Sequence, residues 1–390
     1  MRRSVNSRFI LLLVIGQAAW AEEVHVPFAP DQPDFVLPAV DGRVPVGVRS
    51  FSWLDEERSA TGLPDGKGHR EIGVQIWYPA TGNKKEQTAL YSPDIEKMFV
   101  AGEELPAAKR NFVMAHKPLL NTATTSMPGA DIASPESESG WPLILFSPGG
   151  NVSRHWQTAL AERVASHGFV FVSISHPFST IDVARKSGFS MSIDWGLDDE
   201  DAKAAAMADN RLADILAEDA AFVLEQIRGL VDHDASFATA IDLDETGIAG
   251  HSRGGKTVGR ACSSYRVFKA CLVIDNIGPA RERKTGIRVP FLTLRSPWSE
   301  DRIAELHDYL GRTGSVSYDV ELADTNHFTC TDLPLFMPDL RIAGIDPVDG
   351  IDACATILAD FFDAYLRRHI SPDDDWMPSD QLSTVSIRRF

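Results

Sequence analysis

The residues with the clearest chemical potential lie at positions 250–255, where the sequence reads GHSRGG. This stretch follows a short apolar segment and precedes a helical pattern, so it has the GxSxG spacing of a serine on a sharp strand-to-helix turn. Glycines at the flanking positions let such a turn close, which exposes the serine hydroxyl at the start of the helix. The pattern predicts that Ser252 is a nucleophile. An ordinary glycine turn is the alternative interpretation.

A serine hydroxyl attacks well only when a base removes its proton, so a histidine must reach Ser252. Of the eleven histidines in the chain, His327 lies in a DTNHF loop after a strand-like segment downstream of the serine. In proteins with this kind of serine turn, the nucleophile, the acid and the base follow one another along the chain in that order, and His327 lies where the base would come. We therefore predict His327 as the general base. His155, His176 and His251 are interpreted as supporting or core side chains.

The carboxylate that would orient this base has several candidates. Asp275 ends an apolar strand-like segment. The chain between Ser252 and Asp275 is long enough for one helix and one returning strand, which would bring Asp275 to the same edge of the sheet as the serine. Glu300 and Asp301 follow the next strand-like segment, and Asp324 lies close to the base in sequence. Strand position alone does not choose between Asp275 and the later carboxylates.

Acyl transfer to a serine also requires two backbone N–H donors for the oxyanion. One comes from the residue after the nucleophile and one from a loop after an earlier strand. Arg253 would supply the first through its backbone. Residues 143–151, LILFSPGGN, are a strand pattern running into a glycine-rich turn. They predict Gly150 as the second donor, with Asn151 as the alternative, although glycines alone do not exclude a structural hairpin turn.

The elements that must position these residues begin at Trp141. From there, short apolar segments alternate with helical patterns, which is typical of a mostly parallel sheet covered by helices on both faces. Apolar stripes at helical spacing within residues 212–230 and 354–365 are interpreted as core-facing. The predicted strands are residues 143–146, 169–174, 247–250, 270–274, 291–294 and 316–322.

A single domain over residues 22–390 is expected, because α/β folds of about 250 residues or more occur as one unit. Its N-terminal elaboration, residues 22–140, starts with a Pro-rich irregular stretch and contains an early antiparallel strand pair. A short helix is expected around residues 95–100. The polar segment 177–206 is expected to cover the carboxyl edge of the sheet as a partial cap.

The first 21 residues have the pattern of a secretory signal peptide. Three arginines precede the apolar run FILLLVI, and small residues end at Ala21. We expect export to the periplasm or the medium. Neither this run nor any later segment is long enough to be a transmembrane span. The chain has 38 basic and 55 acidic side chains and a net charge of −17, which excludes nucleic-acid binding through a basic surface.

Four cysteines in an exported chain allow three pairings. Two local disulfides are predicted, Cys262 with Cys271 and Cys330 with Cys354. Four buried thiols that behave as small apolar residues are the alternative. The cysteine and histidine spacings indicate no metal site.

Four segments together resemble the plasma-type platelet-activating factor acetylhydrolase family of α/β-hydrolases. They are EIGVQIWYP at 71–79, LFSPGG at 145–150, ASHGFV at 165–170 and GHSRGG at 250–255, and SHP at 175–177 fits as well. The resemblance spans residues 46–368. It implies an α/β-hydrolase fold and hydrolysis of short or oxidised acyl esters. The sequence departs from the family at Pro148, where a histidine is usual, and at Arg253, where an aromatic residue is usual.

In that family the catalytic acid follows the strand directly after the nucleophile helix, so the resemblance favours Asp275. The hypothesis is an exported serine carboxylester hydrolase that cleaves short-chain acyl or phospholipid esters through an acyl-enzyme, without a metal or organic cofactor. Alternatives are a polyester or small xenobiotic esterase with the same triad, and an inactive hydrolase fold used as a binding module. Acyl length, headgroup and oligomeric state are left open.

Overall fold

A computed structural model describes most of the chain. The described residues are 22–59, 68–82, 88–91, 97–98, 100, 110, 114, 117–135, 139–184, 188–191, 193, 196–198, 200–341, 344–371, 374, 376–378 and 385–390. The predicted signal peptide, residues 1–21, lies outside them. The helix expected around residues 95–100 falls partly outside them as well, and its described members Lys97, Met98 and Val100 are helical.

An eleven-stranded sheet forms the centre of the described structure. Its order is β1-β3-β4-β8-β7-β11-β12-β13-β14-β15, with β6 paired to β3. The strands in chain order are β1 (Glu22–Val24), β2 (Phe35–Val36), β3 (Val46–Ser59), β4 (His69–Pro79), β5 (Thr122–Ala123), β6 (Met127–Pro128), β7 (Trp141–Ser147), β8 (Val170–Ile174), β9 (Asp182–Ala184), β10 (Gly188–Ser190), β11 (Ile241–His251), β12 (Phe268–Ile274), β13 (Phe291–Arg295), β14 (Ser317–Leu322) and β15 (Val385–Arg389).

The six strands predicted from the alternating pattern, β7, β8 and β11–β14, form the parallel middle of this sheet. Antiparallel strands flank it, with β4 against β8 and β15 against β14. Because the carboxyl ends of parallel strands meet at one edge, the residues that follow β7, β11, β12 and β14 come together there. That edge therefore holds the turn at 148–151, Ser252, Asp275 and the loop with His327.

Helices cover both faces of the sheet, as predicted. From Thr158 onward, the α-helices are α1 (Thr158–Ser166), α2 (Ala202–His233), α3 (Gly254–Ser264), α4 (Glu282–Thr285), α5 (Glu300–Leu310), α6 (Leu333–Phe336) and α7 (Pro347–Phe362). Helices α1 and α7 pack in the core on one face, and α2, α3 and α5 pack in the core on the other. Side chains of β7 alternate between these two cores, because successive residues of a strand point to opposite faces.

Three strands differ from the sequence-based expectations, two in the central sheet and one, β2, in a separate two-stranded sheet with β5. Strands β1 and β2 lie in the stretch that was predicted to be irregular, and they pair with β3 and β5. Strand β15 was not predicted. Its residues are half-buried or exposed and pair along a single edge. Only two apolar residues, Val385 and Ile387, alternate with polar ones, which is too short a pattern to predict a strand. Pairing with a neighbour that is distant in sequence makes these segments strands.

The predicted cap segment, residues 177–206, contains a hairpin and the start of a helix. Strands β9 and β10 pair antiparallel, and α2 begins at Ala202. The Asp201 side chain caps this helix by accepting a hydrogen bond of 2.8 Å from the Lys203 N–H. The non-helical part therefore ends at Asp201, several residues before the predicted boundary. The first turns of α2 are mostly small or polar, which hid them from the apolar pattern.

The structure pairs the cysteines as predicted. Cys262 of α3 is bonded to Cys271 of β12, and Cys330 is bonded to Cys354 of α7, with Cα–Cα separations of 6.6 and 5.7 Å. These separations are ordinary for disulfides. The first bond connects α3, the helix after Ser252, to the next strand, and the second connects the loop that contains His327 to the core helix α7. Within the described ranges, no helix has the length and apolarity needed to cross a membrane.

Candidate active site

Ser252 lies on a tight turn between β11 and α3. Its φ is 53°, a left-handed conformation that costs a non-glycine residue free energy and recurs at functional sites. A Cβ at Gly254 would lie 1.8 Å from the carbonyl oxygen of Ser147, and one at Gly250 would lie 2.6 Å from that of Gly254. Only glycine fits both positions. The GxSxG pattern is therefore a packing requirement of this turn and not only a sequence motif.

His327 approaches the serine from the loop after β14. Its Nε2 lies 2.8 Å from Ser252 Oγ, and 39% of its side chain is exposed, so a substrate can reach it. The loop is held by hydrogen bonds of its neighbours, from Thr325 Oγ1 to the Leu322 carbonyl at 2.6 Å and from Asn326 Nδ2 to the Leu340 carbonyl at 2.8 Å. The base candidate is thus presented to the serine by a structured loop.

Asp275 lies directly after β12 and hydrogen-bonds the other ring nitrogen of His327, through Oδ2 and Nδ1. Its Oδ1 accepts hydrogen bonds from Ser296 Oγ and Trp298 Nε1, both at 2.8 Å. Burial opposes ionisation of this carboxyl, but the hydrogen bonds from His327 and Ser296 outweigh it and hold its pKa below the usual range. An ionised Asp275 keeps the proton on Nδ1, which leaves the Nε2 lone pair facing Ser252.

The later carboxylates are placed differently. Glu300 and Asp301 form the exposed first turn of α5, and Asp324 is exposed in the loop before His327. Of the four candidate acids, Asp275 is the one that contacts the imidazole. Trp298 and Ser296 could not be predicted as its hydrogen-bond donors, because they belong to a loop after β13 whose path only the fold defines.

The turn at 148–151 lies against Ser252, the predicted nucleophile, as a second oxyanion donor would require. A Cβ at Gly149 would lie 3.2 Å from Ser252 Cβ. The Asn151 N–H already donates to the Ser179 carbonyl at 2.9 Å. Asn151, the alternative donor, is therefore engaged with the cap segment. Gly150 stays the predicted donor beside the Arg253 backbone.

His251, inside the turn, has a role that the sequence did not specify. Its Nε2 donates a hydrogen bond of 2.7 Å to the carbonyl oxygen of His327, and the two rings lie 4.7 Å apart. Burial, together with the neighbouring His327, lowers the pKa of His251 to about 4. His251 is therefore neutral at pH 7 and connects the turn of Ser252 to the loop of His327 without adding charge.

A second chain of serine, histidine and aspartate lies in the interior. Ser147 Oγ is 2.8 Å from His176 Nε2, and His176 Nδ1 is 2.9 Å from Asp219 Oδ2. The Arg70 guanidinium binds both oxygens of Asp219, at 2.6 and 2.7 Å. All four residues are buried, so no substrate can reach Ser147. This buried hydrogen-bonded series holds Ser147, which directly precedes the turn at 148–151.

Replacing Asp219 by asparagine should destabilise the fold by about 3–5 kcal/mol, because it leaves a buried guanidinium without its counter-charge. Arg70 has 1% of its side chain exposed, and Arg58 also contacts Asp219, at 2.9 Å. The measurement is chemical denaturation of the wild type and the variant. Glu225→Gln on the exposed face of the same helix is the control, with an expected change within about 0.5 kcal/mol. A loss for Asp219→Asn that matched this control would contradict the assignment.

Among the described residues, no group of three or more His, Cys, Asp and Glu side chains is arranged to hold a metal ion. The chemistry available at this edge of the sheet is that of a serine, an imidazole and a carboxylate in hydrogen-bonded series. This series is suited to nucleophilic attack on a carbonyl carbon, with proton transfer through the imidazole.

Comparisons with known proteins agree with this chemistry. A family model for platelet-activating factor acetylhydrolase, isoform II, matches residues 31–181. No curated protein matches the sequence. The structure is similar to that of a ferulic acid esterase from Streptomyces cinnamoneus, with a TM-score of 0.71, 21% identity, and coverage of 90% of this chain and 99% of that one. The α/β-hydrolase fold is therefore confirmed. The resemblance to the acetylhydrolase family is confirmed over residues 31–181, and with it the class of the enzyme, a carboxylic ester hydrolase of the serine type.

Proposed function

We propose that this protein is an exported esterase that cleaves short-chain acyl or phospholipid esters through an acyl-enzyme on Ser252. The observation that carries the proposal is the continuous hydrogen-bonded series from Ser252 through His327 to Asp275. The same order of groups activates a serine wherever a triad occurs, whatever the fold around it.

In the first half of the reaction, His327 Nε2 takes the hydroxyl proton as Ser252 Oγ bonds to the ester carbonyl carbon. The electron pair of the carbonyl bond moves to its oxygen, which the backbone N–H groups of Arg253 and Gly150 stabilise. When the carbonyl re-forms, the bond to the alcohol oxygen breaks. The alcohol leaves with the proton held by His327, and the acyl group stays on the serine.

In the second half, a water molecule takes the place of the alcohol. His327 Nε2 removes one proton from this water as its oxygen bonds to the acyl carbon, and returns that proton to Ser252 Oγ as the acid leaves. Asp275 stays ionised throughout and stabilises the imidazolium that forms in each half. Its hydrogen bonds with Ser296 and Trp298 keep the carboxylate oriented during both proton transfers.

The preference for short acyl groups rests on the resemblance to the acetylhydrolase family. A partial cap over the site, formed by residues 177–206, is part of the proposal, and its contact with the turn through Ser179 and Asn151 supports it. Export rests on the signal-like sequence at 1–21, and the two disulfides are compatible with an oxidising compartment.

Two alternative substrate classes use the same triad, namely polyesters and small xenobiotic esters. The solved structure that this fold resembles is a ferulic acid esterase, so a feruloyl ester belongs among the substrates to be compared. The contacts of Ser252 with His327 and of His327 with Asp275 argue against an inactive binding module, because such a module has no need of an aligned base.

The proposal is tested with p-nitrophenyl esters from acetyl to palmitoyl, a short-chain phospholipid and methyl ferulate. We expect kcat/KM to be highest for acyl chains of about two to six carbons and to fall for longer ones, since a compact pocket excludes them. A fluorophosphonate probe should label Ser252, as mapped by mass spectrometry. If the probe labels Ser252 but kcat/KM is highest for the palmitoyl ester or for methyl ferulate, the short-acyl assignment is contradicted. Absence of both labelling and hydrolysis would support the binding module instead.

A further inference from the structure

The chain enters the predicted oxyanion turn, residues 148–151, through Ser147, whose side chain is held on two sides. Ser147 Oγ lies 2.8 Å from Nε2 of His176 and 2.8 Å from Oγ1 of Thr257 in α3. All three side chains are buried, so water does not compete for these hydrogen bonds. The start of the turn is therefore fixed both to the segment after β8 and to the helix that follows Ser252.

The direction of these hydrogen bonds follows from the charge of Asp219. Burial opposes ionisation of Asp219, but the Arg70 guanidinium outweighs it and holds the pKa of this carboxyl below its usual range. An ionised carboxylate only accepts hydrogen bonds, so His176 donates to it from Nδ1. Burial lowers the pKa of His176, so the ring is neutral and its Nε2 is an acceptor. The Ser147 hydroxyl therefore donates to His176 and accepts from Thr257.

The chain leaves the same turn through a second contact, which also leads back to His176. The Asn151 N–H donates to the carbonyl of Ser179 at 2.9 Å, and the Ser179 N–H donates to the carbonyl of His176 at 3.0 Å. His176 is thus connected to the residue before the turn through its side chain, and to the last residue of the turn through its backbone. Gly150, the predicted oxyanion donor, lies between these two fixed positions.

The turn has little room to shift relative to the predicted nucleophile. A Cβ at Gly149 would lie 3.2 Å from Ser252 Cβ, and a Cβ at Gly254 would lie 1.8 Å from the carbonyl oxygen of Ser147. Backbone N–H donors stabilise an oxyanion only when they are held about 3 Å from the position that it will occupy. A small movement of Ser147 would therefore change the distance on which the Gly150 N–H depends.

We propose that His176 is a positioning residue, which holds the oxyanion turn in place for the reaction at Ser252. This inference rests on the proposed esterase function and gives a role to a residue that does not touch the substrate. A donor held by a buried hydrogen-bond network needs no reorganisation when negative charge develops on the substrate. Both halves of the reaction pass through such an oxyanion, so loss of the positioning should lower kcat much more than it changes KM.

The test measures kcat and KM for p-nitrophenyl acetate in the mature protein, residues 22–390, in Ser147→Ala and in two variants of His176. An asparagine amide nitrogen takes the place of Nδ1, so His176→Asn can keep the contact with Asp219 but not the one with Ser147. A glutamine amide reaches the place of Nε2, so His176→Gln can keep the contact with Ser147 instead. The inhibition constant of a trifluoromethyl ketone is measured as well, because Ser252 adds to its carbonyl carbon and creates an oxyanion at the same turn.

We expect Ser147→Ala and His176→Asn to lower kcat by about 10- to 100-fold, part of the effect of removing an oxyanion donor outright, and to change KM by less than about 3-fold. The inhibition constant of the ketone should rise by the same factor by which kcat falls. His176→Gln should keep more of kcat than His176→Asn does. The control is Ser317→Ala, which removes another buried hydroxyl, one that donates to the Leu310 carbonyl at 3.1 Å. It lies at the start of β14, on the opposite edge of the sheet, and should leave kcat and the inhibition constant as in the wild type.

Wild-type kcat in both Ser147→Ala and His176→Asn would overturn the proposal while leaving the esterase function intact. The same holds for a loss that Ser317→Ala reproduces, or for one that appears in KM and not in the inhibition constant, because a general structural effect would then explain it. If His176→Asn does not fold, Ser147→Ala still decides, since it removes a single hydroxyl. A wild-type protein that hydrolyses no ester would overturn the proposed function, and this inference with it.

Discussion

Replacing Ser252 by alanine is expected to lower kcat for short-chain ester hydrolysis by about 10⁶-fold while the protein stays folded. The members of a triad act as one unit, so removal of the nucleophile leaves only the contributions of substrate binding and the oxyanion donors. The variant removes one hydroxyl from a turn whose shape is set by Gly250 and Gly254. The measurement is p-nitrophenyl acetate turnover, with circular dichroism to verify the fold.

Ser264→Ala is a suitable control. Ser264 is exposed at the end of α3, the helix that follows Ser252, so its replacement should leave turnover unchanged. Retention of a tenth of wild-type activity by Ser252→Ala would contradict the serine mechanism. Fluorophosphonate labelling adds a second readout. It should be lost in Ser252→Ala, whereas labelling of Ser147 would contradict the conclusion that the interior serine is sealed.

Replacing Asp275 by asparagine is expected to lower turnover by about 10⁴-fold. The change keeps the size of the side chain but lets His327 adopt the tautomer with its proton on Nε2, which can no longer accept the serine proton. Ser296 and Trp298 can no longer stabilise an ionised carboxylate there. The measurement is kcat on p-nitrophenyl acetate across pH, because a tautomer defect lowers the plateau and not only the apparent pKa.

Asp301→Asn and Glu300→Gln serve as matched controls for Asp275→Asn, since they remove carboxylates that follow the next strand along the chain. Both residues are exposed on the first turn of α5, so we expect losses of less than about 3-fold, the effect of an ordinary surface change. A larger loss in Asp301→Asn than in Asp275→Asn would move the acid to the later strand.

Much of the architecture could be predicted because it follows from the local periodicity of apolar residues. Short apolar runs that alternate with helical stripes indicated the parallel middle of the sheet, and β7, β8 and β11–β14 lie where the patterns placed them. Strand β15 could not be predicted, because its half-exposed residues become a strand only by pairing with β14. The early start of α2 was missed because small and polar residues in its first turns give no apolar stripe.

For the candidate site, the sequence by itself predicted the nucleophile turn, the base and the disulfide pairs, since each prediction depends on residue types at short spacing or on chain order. It left the acid open between Asp275 and later carboxylates, and it left Asn151 as an alternative donor. Only the tertiary structure decided which carboxylate touches the imidazole and which N–H is already engaged with Ser179. The contact of the Arg253 guanidinium with Gly150 was likewise decided only by the tertiary structure. These contacts join residues distant in sequence, and their distances depend on how strands and loops pack at one edge of the sheet.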